Sequence, residues 1–114
     1  MSLIYKILPK SEWEEALAAG RFTGSAIDLK DGYIHLSTGD QAQDTARLHF
    51  RGQAGLYLVT LESDALGAAL KWEPSRGGSL FPHLYGPLDV GLALEARPLE
   101  LDAEGVPQLR LDHA

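Results

Sequence analysis

Gly32-Tyr33-Ile34-His35-Leu36-Ser37-Thr38 runs directly into Gly39-Asp40-Gln41, and this junction decides how the chain folds. The first part follows an Asp31-Gly32 turn signal and reads as a strand. At period two, Tyr33, His35 and Ser37 share one face, and Ile34 and Leu36 take the other. The second part reads as a helix start, because Thr38 and Gln41 have the spacing of a capping box. Ala42, Ala46, His49 and Phe50 then fall on one helical face, so the predicted buried stripe carries His49. Arg47 on the wet side can pair with Asp44 or Gln43. A strand joined to a helix this closely puts unpaired helix amides beside Ser37 and Thr38, where they favour negative charge.

Upstream, residues 3–8 are apolar and β-branched enough for a strand. Ser11 and Glu14 again have capping-box spacing, Trp13, Ala16 and Leu17 form one helical face, and Gly20 supplies a left-handed stop. Residues 21–30 read as loop with a single helical turn at most. Downstream, residues 56–61 form the clearest strand, 63–66 a helical turn, 69–73 a further strand and 74–79 a flexible loop. Residues 80–88 are aromatic but carry Pro82, Gly86 and Pro87, so they are expected at a sheet edge or in a loop. Residues 92–101 read as a last strand, 103–107 as a turn and 108–111 as a hairpin arm. Strands outnumber helices and the helices come early. The expected fold is α+β, with split antiparallel or mixed β-sheets and two or three short helices, in a single domain spanning residues 1–114.

A chain of 114 residues with 45% hydrophobic and 23% charged residues is long enough for one core and excludes a disordered chain. Ten Lys and Arg against sixteen Asp and Glu give a net charge of -6, which argues against strong nucleic-acid or anionic-membrane binding. With no cysteine, thiolate nucleophiles, thiolate metal sites and disulfides drop out. The opening residues carry one cation and their apolar run ends by Pro9, so neither a signal segment nor a membrane span is expected, and the expected location is cytoplasmic. Residues 45–88 carry a net +1 and the rest -7. That swing fits either chance or a middle region facing an anionic ligand.

Four histidines are the main chemical resource. His113 is next to the end, and His49 reads as a core histidine. His35 shares a face with Tyr33 and Ser37; the group suits a ribose or phosphate, or else is a solvated strand face. His83 lies in Phe81-Pro-His-Leu-Tyr-Gly-Pro-Leu88, whose prolines fix the direction of His83 and Tyr85, either towards a ligand or as an aromatic plug. Glu73, after Trp72 and before the glycine-rich loop with Arg76, is a candidate base or a surface strand residue. No pair of histidines has zinc-ligand spacing, and no dinucleotide, P-loop or nucleophile-elbow fingerprint occurs.

Gly32 to Thr38 with Gln41, then Lys71-Trp-Glu-Pro74, then Phe81 to Leu88 resemble the bacterial domain of unknown function 952, and the likeness spans nearly the whole chain, including Trp13. That family is similar to the ADP-ribosyltransferase superfamily. The resemblance implies two small sheets gripping NAD in the cleft between them. It implies that His35, with Ser37 or Thr38, holds the ribose, that Trp72 or Tyr85 stacks on nicotinamide, and that Glu73 stabilises an oxocarbenium-like transition state. His83 has no counterpart in the common His-Tyr-Glu pattern. The Arg-rich variant used by RNA 2′-phosphotransferases would have only Arg76 and Arg51 to draw on.

Three readings follow. In the first, a small nucleotide-like ligand binds a His-lined cleft, with His35, His83 and Glu73 in catalysis and Ser37, Thr38, Gln41, Trp72, Arg76 and Tyr85 in contact with it. NAD is then a substrate, and no cofactor or metal is required. In the second, His35-Leu-Ser37 and the partial echo His83-Leu-Tyr85 act as base and acid on a cyclic nucleotide, in the manner of a two-histidine phosphodiesterase. In the third, the aromatic loop is a non-catalytic module for a small ligand or a protein. Each catalytic reading requires the two imidazoles to converge on one concave face.

Overall fold

A computed structural model describes residues 2–111, apart from the side chain of Arg76; His113 lies outside the described residues. Strand β1 (Leu3–Pro9) and the later strand β5 (Leu56–Glu62) pair antiparallel along their whole length. Both are mainly apolar on both faces, interrupted only by the buried Lys6 and Thr60 in mid-strand, because both faces of their sheet are covered. On one face Ile4, Leu8, Val59 and Leu61 pack with Trp13 and Ala16 of helix α1 (Lys10–Ala19) and with Phe22 of β2 (Arg21–Phe22). On the other, Tyr5, Ile7, Leu56 and Leu58 meet Ala42 and Ala46 from a later helix. Each fully buried Leu or Ile here contributes about 1.5–3 kcal/mol.

Helix α2 (Ala26–Asp31) leads into β3 (Ile34–His35), then β4 (Ser37–Thr38) and helix α3 (Gly39–His49). After β5 come β6 (Leu70–Pro74), β7 (Leu80–Leu84), β8 (Leu88–Asp89), β9 (Glu95–Pro98), β10 (Glu100–Leu101) and β11 (Pro107–Gln108). The larger sheet has the order β4-β1-β5-β9 and the smaller β3-β7-β6; β2-β8 and β10-β11 are two-stranded. All these pairings are antiparallel, so the chain is α+β with several antiparallel sheets and a few helices. Among the described residues, no helix is long and apolar enough to cross a membrane.

The segment 33–38 is not one strand. It breaks at Leu36, so that β3 joins β7 in the small sheet while β4 joins β1 in the large one. The cause is Pro82. Leu36 donates its amide to the Pro82 carbonyl at 3.1 Å, but the reciprocal bond of that pair needs an N–H that proline lacks. The ladder stops there, and the strand leaves for the other sheet. Pro82 therefore lies in the central strand of the small sheet rather than at an edge, since its missing donor faces the position where β3 has already departed.

Other expectations also change. The Ser11–Glu14 capping box does not form: β1 extends through Pro9, which takes the N-cap position without a side-chain cap. Leu17 is exposed although Trp13 and Ala16 are buried. The Thr38–Gln41 box does form, and Arg47 pairs with Asp44 at 3.0 Å. His49 is exposed: the buried positions of α3 are Ala42 and Ala46, and Phe50, just past the helix end, packs against the same core. The span 92–101 splits into a helical turn, β9 and β10, with the hairpin arm appearing as β11.

Candidate active site on the small sheet

Registry across β3 and β7 places His35 directly opposite His83. Because Leu36 and Pro82 occupy the hydrogen-bonded position, His35 and His83 form the non-hydrogen-bonded pair, the kind that brings side chains closest. Their ring centroids are 5.8 Å apart, edge to face. Tyr33, two residues back on the same face, lies 4.6 Å from the His35 ring and stacks on the His83 ring at 4.1 Å. Tyr85, two residues on from His83, meets Tyr33 at 5.2 Å. The two imidazoles that are 48 residues apart in the chain thus share one aromatic face.

His35 is held by two carboxylates. Its Nδ1 lies 2.6 Å from Asp28 Oδ1, and its Nε2 lies 2.9 Å from Asp31 Oδ2. Asp28 is buried, whereas Asp31 and His35 are about one-third exposed. Asp28 also accepts from the amides of Ser25 and His35 and from Lys6 Nζ. Burial pushes the Asp28 carboxyl up, but the bond from His35 and the charge and bonds of Lys6 outweigh it and hold it at about 2. Gly24 permits this arrangement: its φ is +124°, and a Cβ there would lie 2.9 Å from Asp28 Cβ.

His83 belongs to a second group. Glu73 on β6 accepts through the same oxygen, Oε1, from His83 Nδ1 at 2.8 Å and from the Tyr85 hydroxyl at 2.7 Å. Those two hydrogen bonds, Tyr85 first, lower the Glu73 carboxyl below its ordinary value, and the accepted bond raises the Tyr85 phenol to about 12. Because an ionised carboxylate only accepts, His83 carries its proton on Nδ1 when neutral and keeps the lone pair of Nε2, on a ring that is itself buried under Tyr33. Among the described residues, Nε2 has no hydrogen-bond partner. Tyr85→Phe is expected to remove one late phenol from an absorbance titration, the one ionising near pH 12. An unchanged late phase in that variant would show that Glu73 does not hold Tyr85.

The remaining predicted residues divide. Ser37 is buried and hydrogen-bonds Thr45 Oγ1 at 3.1 Å, so the break at Leu36 has taken it off the face of His35. Thr38 and Gln41 line a cleft of about 400 Å³ with Asp40, Asp44, Ser79 and Phe81. The capping box already uses the Thr38 side chain at the start of α3, and two aspartates border the cleft, so this helix end is not arranged for an anion. Phe81 and His83 point to the same face of β7, which puts the cleft two residues along the strand from the imidazoles. Trp72 pairs with Pro82 and so lies on the opposite face from Glu73, His83 and Tyr85; it cannot stack on a ring that those three hold. Arg76 lies on a helical turn between β6 and β7, with its side chain outside the described residues. A second cleft, about 260 Å³, is lined by Asp28, Tyr33, Leu84 and Pro87, among others. Neither imidazole lines either of these two clefts. The two rings do converge, with His83 buried and His35 about one-third exposed, but the concave face that the catalytic readings require is not one of these clefts.

Lys6, Asp28 and Asp31 are the functional candidates that sequence reasoning passed over. The Ser25-x-x-Asp28 spacing of a helix start was the available signal for Asp28. Among the described residues, no group of three His, Asp or Glu is arranged to hold a metal ion.

No curated protein matches the chain. Solved structures do. The chain is similar to protein CC0527 from Caulobacter crescentus, whose crystal structure is 60% identical, with 95% of each chain covered and a TM-score of 0.93. The solution NMR structure of the same protein matches at 60% identity over 96% of this chain and 94% of that one, with a TM-score of 0.86. A family model described as a protein of unknown function matches residues 7–96, a span that includes His35, Glu73, His83 and Tyr85, and the chain therefore belongs to the DUF952 family.

Proposed function

We propose that the face formed by Tyr33, His35, Glu73, His83 and Tyr85 binds NAD or an ADP-ribosyl ligand and supports transfer or hydrolysis at the ribose. The observation that carries this reading is the in-register His35–His83 pair with Tyr33 packed on both rings and carboxylates at either side. Aromatic rings and carboxylates suit a group that gains positive charge, as a ribosyl carbon does when its nitrogen base departs. In that step the C1′–N bond breaks and its electrons leave with nicotinamide. Glu73, kept ionised, stabilises the developing cation, and His83 Nε2 takes the proton from the water or hydroxyl that forms the new C1′–O bond. His35 Nε2 becomes available to a ribose hydroxyl when Asp31 turns into solvent, an exchange that gives up one exposed hydrogen bond worth only ~0.5–1.5 kcal/mol.

The two-histidine phosphodiesterase reading is weaker on the same geometry. It needs both imidazoles to exchange protons with the substrate; His35 Nδ1 is fixed on the buried Asp28, so only Nε2 can serve, and only once Asp31 has turned away.

Thermal unfolding with NAD and with ADP-ribose tests the proposal. A ligand at about 100 times its Kd stabilises the fold by ~2.7 kcal/mol, a readily measured rise in Tm. No rise at millimolar NAD or ADP-ribose sinks the reading. A rise with 2′,3′-cyclic nucleotides alone moves the assignment to the phosphodiesterase.

A further inference from the structure

We propose that Lys6 and Asp28 are positioning residues for His35: a buried ion pair, drawn from the large sheet and from α2, that fixes both the backbone and the ring of a histidine on the small sheet. The inference rests on the site reading above for its functional meaning, while its geometry stands independently.

β3 is the edge strand of the small sheet, and at His35 its amide and carbonyl point away from β7. An edge strand normally leaves such groups to water. Here Asp28 Oδ1 accepts from the His35 amide at 3.1 Å, and Lys6 Nζ donates to the His35 carbonyl at 3.1 Å. The pair thus replaces a missing neighbouring strand for one residue. The same Asp28 oxygen takes the ring Nδ1 at 2.6 Å, so backbone and imidazole are tied to one anchor. Lys6 Nζ makes its other two bonds to the two oxygens of Asp28, at 3.1 and 2.9 Å. Every donor of the ammonium is used.

Lys6 lies on the core-facing side of β1, between the fully buried Ile4 and Leu8. An apolar residue there would extend the hydrophobic cluster, and buried ion pairs are commonly replaceable by apolar residues without loss of stability. Besides the Ser25 amide at the start of α2, the partly exposed residue that the pair holds is His35, and it is the one whose ring the pair fixes. Fixing first-contact groups through a rigid shell behind them is what precise ligand geometry requires.

The test compares two double variants with the wild type. Lys6→Met/Asp28→Leu keeps apolar volume and removes every bond that the pair makes to His35, leaving only the Asp31 contact at Nε2. Lys6→Gln/Asp28→Asn is the conservative counterpart, in which the amide oxygen of residue 28 still accepts from the ring. The wild type should show a slowly exchanging His35 Nδ1–H proton in imidazole-region NMR and proton contacts between His35 and Tyr33. The Met/Leu variant should stay folded, lose both signals and bind NAD at least tenfold more weakly, and the Gln/Asn variant should restore both signals. Three results would overturn the proposal: a wild type without that proton, a Met/Leu variant that keeps both signals, or unfolding of both variants, which would make the pair a support of the fold rather than of the ring. If NAD binds none of the proteins, the site reading fails, yet the NMR signals still decide the clamp.

Discussion

Asp28→Ala is expected to destabilise the protein by about 3–5 kcal/mol, lowering Tm by on the order of 15 °C. Removing one partner of a buried pair is far worse than replacing both. Lys6 is 5% exposed, and without Asp28 its ammonium keeps, among the described residues, one hydrogen-bond partner, the His35 carbonyl. The amides of Ser25 and His35 lose their acceptor at the same time. A pH dependence follows from the same carboxylate. Its folded value of about 2 lies below the ordinary 3.8, so its contribution is fully present above about pH 4 and is lost as the pH falls through about 2. The difference corresponds to roughly 2 kcal/mol. Urea unfolding at pH 7, 4 and 2 should show that loss in the wild type and its absence in Asp28→Ala. A variant within 1 kcal/mol of the wild type at pH 7 would mean that Lys6 finds another partner and that the network is dispensable.

The strands β1 and β5 were legible because a sheet covered on both faces leaves a run that is mainly apolar, even with Lys6 and Thr60 within it. The start of α3 was legible because Thr38 and Gln41 satisfy each other locally. Elements stabilised by distant partners were not. Helix α2 has six residues, and Ile27 and Leu29 on it are exposed, so no apolar period marks it; it is held by its capping box and by Asp28 buried beneath it. Pro82 argued against a central strand by a rule that holds when both neighbours are present. Its position opposite Leu36 is the one place where the missing N–H costs little, and only the register of β3 reveals that.

The site was legible to the same limited degree. His35, His83, Glu73 and Tyr85 stood out as chemistry-bearing residues in rigid or strand-like contexts, and the structure brings these four together. Ser37 was placed on that face by alternation along an assumed strand, and Trp72 was brought to the site only by the family resemblance. The break at Leu36 removes the first, and the register of β6 with β7 removes the second. Alternation is a sound guide within a strand but cannot foresee where a strand changes sheets.

For the proposed transfer, His83→Asn is expected to lower the turnover of NAD by about 10²–10⁴-fold while leaving its binding within a few-fold. The amide nitrogen of asparagine falls near the place of Nδ1, so the donor to Glu73 survives and the carboxylate stays oriented. What disappears is Nε2, the lone pair that takes the acceptor's proton as the new C1′–O bond forms. A loss in kcat with little change in KM is the signature of a group that matters in the transition state and not in ground-state binding. Glu73→Gln provides the contrast: it keeps the shape, removes the negative charge that stabilises the ribosyl cation, and frees Tyr85, whose late titration should then move down towards that of an ordinary phenol. If His83→Asn turns over NAD at the wild-type rate, the proton goes elsewhere and the Glu73–His83 pair serves only to brace the sheet. If KM rises in proportion and kcat is unchanged, His83 is a binding contact, and the acid–base role passes to the solvent.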